Sequence, residues 1–147
     1  MAISLPNATA YVINTNAILS VPEPASYTVS LWFSLPVIGT PANYRTFFSN
    51  SSSIELTTDI TGTYIDFGSA NQDINYTANG PLIANQWYHT AMVVQANSAS
   101  SHYVFGYVNG QLVITSNDIT TYSTSSGVSM GTYNGVGGGP LNGYLRN

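Results

Sequence analysis

Tyr103-Val104-Phe105-Gly106-Tyr107-Val108-Asn109-Gly110-Gln111-Leu112-Val113-Ile114 is the stretch whose reading decides the fold. Two β-branched and aromatic runs flank Asn109-Gly110, the pair that best tolerates the two positive φ angles of a two-residue type I′ turn. The stretch therefore predicts an antiparallel hairpin with its turn at Asn109 and Gly110.

Working outward, short β-rich runs recur about every ten residues with turn residues between them. The predicted strands are Thr9–Asn14, Tyr27–Ser34, Tyr44–Ser49, Ile54–Thr57, Tyr64–Phe67, Trp87–Gln95, Tyr103–Val108, Gln111–Thr115, Val128–Thr132 and Leu141–Asn147. Several alternate with period two. Tyr27, Val29, Leu31 and Phe33 fall on one face, and Thr28, Ser30, Trp32 and Ser34 on the other. Ile65 and Phe67 likewise oppose Tyr64 and Asp66. One covered and one wetter face per sheet is what a two-layer sandwich requires. Pro22, Pro24, Pro36, Pro41, Pro81 and Pro140 fall between strands or at their edges, where a missing N–H does least harm. No segment sustains a helical apolar period. Ser116–Ser126 reads as a long polar loop or a weak edge strand. The expectation is an all-β protein, a two-layer antiparallel β-sandwich, with residues 1–147 as one domain.

Composition narrows the partners. Apolar residues make up 44% of the 147, enough for a core. Charged residues are only 5%, against ~25% in an ordinary globular protein, and there is no lysine. Arg45 and Arg146 cannot supply the phosphate neutralisation that nucleic acids or anionic membranes draw on, so neither is an expected partner. Recognition is expected to rest on shape, apolar contact and neutral hydrogen bonds, which salt hardly weakens. Met1 to Ala10 lacks a basic region leading into an apolar run, so no secretory leader is expected. No window has the ~18 apolar residues that a membrane span needs. Asn7, Asn50 and Asn75 match the glycosylation acceptor pattern, as chance allows in a chain so rich in Asn, Ser and Thr.

Trp87-Tyr88-His89-Thr90-Ala91-Met92-Val93-Val94 followed by Tyr107-Val108-Asn109-Gly110-Gln111-Leu112-Val113 resembles the concanavalin A-like, laminin-G-like jelly-roll domains, in which a Trp-x-His strand leads into a Tyr-Val-Asn/Asp-Gly hairpin. Thr28 to Phe33 resembles their early core strand, Arg45 to Ser49 the next, and Gly139 to Leu145 the start of their closing strand. The four motifs occur in the family's order along nearly the whole chain. In the family the closing strand runs further, so the resemblance implies a truncated chain, a short last strand, or completion of the sheet by a neighbouring chain. The fold hosts lectins, adhesion modules, enzymes and virion proteins, so it does not select a function.

A glycosidase needs two carboxylates across a cleft. Glu23, Glu55, Asp59, Asp66, Asp73 and Asp118 look dispersed, so no catalytic residue is assigned and no enzyme activity is expected. His89 matches the family's framework histidine and His102 falls in a polar turn, so both are expected to be structural. Asp59 with Asp118, or Asp66 with Asp73, could offer Ca²⁺ two carboxylates at most, fewer than its usual set. These aspartates are better read as turn residues bonding their own backbone. No cofactor or metal is therefore expected, with Ca²⁺ the weak exception. Gly135 to Gly139 lacks the residues of a phosphate cradle and reads as a loop. With 11 Tyr, 5 Phe and 2 Trp, stacking platforms are plentiful. Trp32, on a wetter strand face, and Tyr76, Tyr122 and Tyr133, in loops or at strand ends, are the expected ligand or partner contacts.

The neutral surface and few trypsin sites favour a non-enzymatic structural or adhesion module on a virion surface, such as a bacteriophage capsid decoration protein or tail-fibre domain. Its partners would be other virion or surface proteins and further copies of itself in an oligomer or array. The alternative is a carbohydrate-binding, lectin-like module outside the cell.

Overall fold

The computed structural model describes residues 2–5, 12–14, 26–39, 45–50, 54–68, 74–76, 81–98, 101–120, 128–131 and 141–146. Among these, every regular element is a strand. In chain order they are β1 (Ala2–Leu5), β2 (Val12–Asn14), β3 (Tyr27–Ser34), β4 (Thr46–Asn50), β5 (Ile54–Thr58), β6 (Ile65–Gly68), β7 (Ile74–Tyr76), β8 (Trp87–Ser98), β9 (Ser101–Val108), β10 (Gln111–Thr120), β11 (Val128–Met130) and β12 (Gly143–Arg146). They form two six-stranded sheets, ordered β1-β12-β3-β8-β9-β10 and β2-β11-β4-β5-β6-β7. Every pairing is antiparallel. The architecture is the expected two-layer sandwich.

The hairpin forms as the sequence requires. Asn109 and Gly110 have φ of 49° and 80°, and Val108 pairs with Gln111 across the turn. Asn109 also ties this turn to the preceding strand: its N–H donates to the His89 carbonyl at 2.8 Å, and its Oδ1 accepts the His89 N–H at 3.0 Å. The shift of register after Leu112 leaves Val113 as a bulge, which returns Ile114 to the core opposite Gly106.

Period-two alternation sorts the core. From the first sheet come Leu31 and Phe33 of β3, Met92 and Val94 of β8, Val104 and Val108 of β9, and Leu145 of β12; from the second come Phe47, Phe48, Leu56, Ile65 and Phe67. A bulge between Thr46 and Phe48 lets two consecutive aromatics turn inward, and Phe47 stacks on Phe33 with ring centroids 4.2 Å apart. The sheets approach closely at Gly106, where a Cβ would lie 2.8 Å from the Phe67 ring. Only glycine leaves that ring room.

Several expectations change. β1 and β7 were not predicted: each has only three or four residues, too few to show alternation, and β1 is recognised only by its pairing with β12. The closing strand β12 starts at Gly143 rather than Leu141 and lies between β1 and β3. Ser116 to Thr120 continues β10 along the sheet edge, while the rest of the polar stretch lies outside the described residues. His102 is not in a polar turn. β9 starts at Ser101, so His102 shares the inward face of Val104, Gly106 and Val108 and is fully buried. Arg45 is buried too, and Nη1 donates to the Val37 carbonyl. Burial pushes its guanidinium below the usual arginine value.

The second sheet's outward face is the largest surprise. Asp66 was expected on a wetter face, yet it is only 3% exposed. Thr57 pairs with Asp66, and Ser49 pairs with Glu55, placing all four on the face away from Leu56, Ile65 and Phe67. All four are buried, so this face is covered as well. The turn between β5 and β6 is built on Asp59. Its Oδ1 accepts the N–H groups of Thr63 at 2.7 Å and Tyr64 at 2.8 Å, and its Oδ2 accepts the N–H and the hydroxyl of Thr61. Burial alone would raise the carboxyl; the bonds from the Thr61 side chain and the three N–H groups prevail and hold it below its ordinary value. Asp59 is thus the turn residue the sequence suggested.

Candidate functional site

The outward face of the first sheet stays open and carries a group of polar aromatics. Three neighbouring strands each present a pair spaced by two: Tyr144 and Arg146 on β12, Trp32 and Ser34 on β3, Trp87 and His89 on β8. The registers align Arg146, Trp32 and His89 in one row and Tyr144, Ser34 and Trp87 in the next. Directly opposite residues in adjacent strands share a face, so the six form one patch.

Ser34 explains how the patch closes up. Its short side chain, buried between two larger neighbours, lets the Trp87 and Tyr144 rings approach to 6.5 Å above it. It also lets Arg146 reach diagonally across β3. The guanidinium carbon lies 4.3 Å from the centre of the Trp87 ring and 5.1 Å from that of Trp32. Each such contact at an exposed site contributes about 0.5–1 kcal/mol. Trp32 also leans on the His89 imidazole, centroid to centroid 5.1 Å, and His89 Nε2 lies 2.9 Å from the Ser30 hydroxyl. The next row continues the face through Ser30, Ala91, Tyr107 and Leu112. Trp32, Tyr144 and Leu112 remain 36%, 41% and 53% exposed.

The patch supplies flat aromatic surfaces, one fixed cation, hydroxyls and an imidazole. Carboxylates are elsewhere: among the described side chains, Glu55, Asp59 and Asp66 belong to the second sheet or its β5–β6 turn. Glu55 and Asp66 are diagonal neighbours on adjacent strands, closer than their separation in sequence suggested, but both are buried. Among the described residues no group of three or more His, Cys, Asp or Glu is placed to hold a metal ion, and no helix is long and apolar enough to cross a membrane.

Of the four aromatics picked from the sequence, Trp32 is in this patch and uncovered. Tyr76 ends β7 on the other sheet, paired with Ile65. Tyr122 and Tyr133 lie outside the described residues. Sequence reasoning missed Trp87, Tyr144 and Arg146, and treated His89 as framework. The available signal was period two in Trp87-x-His89 and Tyr144-x-Arg146, which marks each pair as sharing a face. What it could not reveal was that β12 and β8 flank β3.

The sheet orders and the jelly-roll pattern define a concanavalin A-like sandwich. The chain belongs to the concanavalin A-like lectin/glucanases superfamily, whose laminin-G-like family model matches residues 6–147. None of the curated proteins matches it significantly. Among solved structures it is similar to domain 4 of the extracellular arabinanase AbnA from Geobacillus stearothermophilus, solved with arabinotriose, at 20% identity and TM-score 0.57, covering 95% of this chain and 65% of that one. It is also similar to a heptameric SAP-like pentraxin from Limulus polyphemus, at 17% identity and TM-score 0.53, covering 83% and 61%. A third is the receptor-binding domain of botulinum neurotoxin type G, at 11% identity and TM-score 0.50, covering 98% and 44%. The chain thus spans less than two thirds of each.

Proposed function

We propose that this chain is a non-catalytic carbohydrate-binding module whose site is the open face formed by β12, β3 and β8. One observation carries the reading: Trp32, Trp87 and Tyr144 gather around Ser34 on a face that stays exposed, while polar groups surround them. Aromatic faces stack against the C–H side of a sugar ring, and adjacent hydroxyl, imidazole and guanidinium groups meet its hydroxyls. Both partners are neutral over most of their contact, which suits a chain with 5% charged residues. Binding is proposed to need no metal, and the working location is extracellular or on a virion surface.

The test is a glycan array followed by titration of the hits, with and without EDTA. Trp32→Ala should weaken binding tenfold or more, about 1.4 kcal/mol, and EDTA should change nothing. An array without hits, or hits indifferent to Trp32, would overturn the reading.

The exposed Leu112 beside Tyr107 favours a second reading, in which the same face docks a protein. On that reading the chain is a structural or adhesion module on a virion, such as a capsid decoration protein or tail-fibre domain, packed in an array with other copies or virion proteins. Light scattering across a concentration series checks it: a monomer at all concentrations that does not co-sediment with any assembly counts against it.

A further inference from the structure

Resting on the carbohydrate-binding reading, we infer that the open face selects acidic glycans, with Arg146 receiving the sugar's carboxylate or sulfate while a ring of the same glycan stacks on the neighbouring aromatics. Arg146 is one of only two basic side chains other than histidine, and the second, Arg45, is buried against Val37. The chain therefore places its exposed arginine between its two tryptophans. A guanidinium held over indole rings is attracted to them as a cation and spends none of its N–H donors on them. Those donors form the fork that fits a planar carboxylate or a sulfate in bidentate fashion.

The two cation–π contacts also restrain the side chain in advance. A free arginine loses rotamer freedom when it binds, and one already held against two indole rings loses less. The described carboxylates, Glu55, Asp59 and Asp66, lie on the second sheet or in its β5–β6 turn, so they do not compete for the cation. His89 and the Ser30 hydroxyl are polar groups on the far side of Trp32, where hydroxyls of the same glycan would lie. This also amends the expectation from composition that recognition would be neutral and indifferent to salt. A single exposed arginine makes part of the binding salt-sensitive.

The experiment titrates the intact chain with matched pairs: oligogalacturonate and its full methyl ester, sialyllactose and lactose, and heparin-derived oligosaccharide before and after desulfation. In at least one pair the acidic member should bind tenfold or more tighter at low salt, and that ratio should shrink as salt rises. Arg146→Met should bring the ratio close to one, and Arg146→Lys should restore only part of it, because an ammonium offers no bidentate fork. Thermal unfolding of both variants close to that of the unmutated chain shows that the fold is kept. If acidic and neutral members bind alike in every pair, the acidic preference is overturned and the carbohydrate reading stands. If the pairs and the wider array show no Trp32-dependent binding, both fall.

Discussion

The two outward faces of the sandwich began as the same sequence pattern and ended differently. On the first sheet, the residues that alternate with the core include Ser30, Trp32, Trp87, His89 and Arg146, and they remain open to solvent or half open. On the second sheet the equivalent positions hold Ser49, Glu55, Thr57 and Asp66, and they are buried. Among the described residues the open face is the more apolar one, and the covered face carries two carboxylates, Glu55 and Asp66. Burial alone would have arranged them the other way round. An aromatic face kept in water is most simply understood as a face with work to do.

The largest effect that would test this contrast lies on the covered face. Asp66 is buried and not without a partner. Asp66→Ala removes the carboxylate and strands whatever donates to it, which costs about 3 kcal/mol. A urea denaturation midpoint should fall accordingly. A change below about 0.5 kcal/mol would mean that this face is solvated after all.

Asp59 sharpens the same point with pH. Its carboxyl is held below the ordinary range by four donors, so the protein is more stable with it ionised. The sign follows from linkage: that stability is fully present above the pKa of an unfolded aspartate and is lost as pH falls through the lower folded value. Asp59→Ala should cost about 2 kcal/mol at neutral pH. Its unfolding free energy should also decline less steeply than that of the unmutated chain at the acid end of this window. Denaturant melts at several pH values read both effects, and parallel curves would remove Asp59 from the acid response.

Much of the fold was legible because it is written in local chemistry. Asn109-Gly110 fixes a turn type, and the alternation from Tyr27 to Ser34 fixes which side of β3 faces inward, as the burial of Leu31 and Phe33 bears out. The candidate site was legible only at Trp32. Trp87 and Arg146 lie far from it in sequence, and they meet it only because β3 sits between β12 and β8. Alternation names the two faces of a strand, but neighbours in the sheet and the covering of the outer layer are set by long-range pairing. The same limit explains Asp66, whose position opposite Ile65 and Phe67 was read correctly and whose burial was not. Tyr76, expected in a loop or at a strand end, lies at the end of β7, and the pairing puts it on the other sheet from Trp32.

The smallest expected effect separates the two readings of the open face. Leu112 lies opposite Tyr107, is more than half exposed, and is set one row away from the Arg146–Trp32–His89 row. Leu112→Ser should therefore change stability by no more than about 0.5 kcal/mol. If the face binds a glycan centred on the tryptophans, this variant keeps its affinity within a few-fold, because a sugar stacks on flat rings and gains little from a leucine beside them. If the face docks a protein, Leu112 belongs to the apolar area removed from water, and its loss raises the concentration needed for self-association or attachment to an assembly. Measuring glycan affinity and light scattering on the same preparation compares these directly. A Leu112→Ser chain that still binds sugar but no longer assembles would show that one face performs both tasks, with the aromatic rows serving the first and the row of Tyr107 and Leu112 the second.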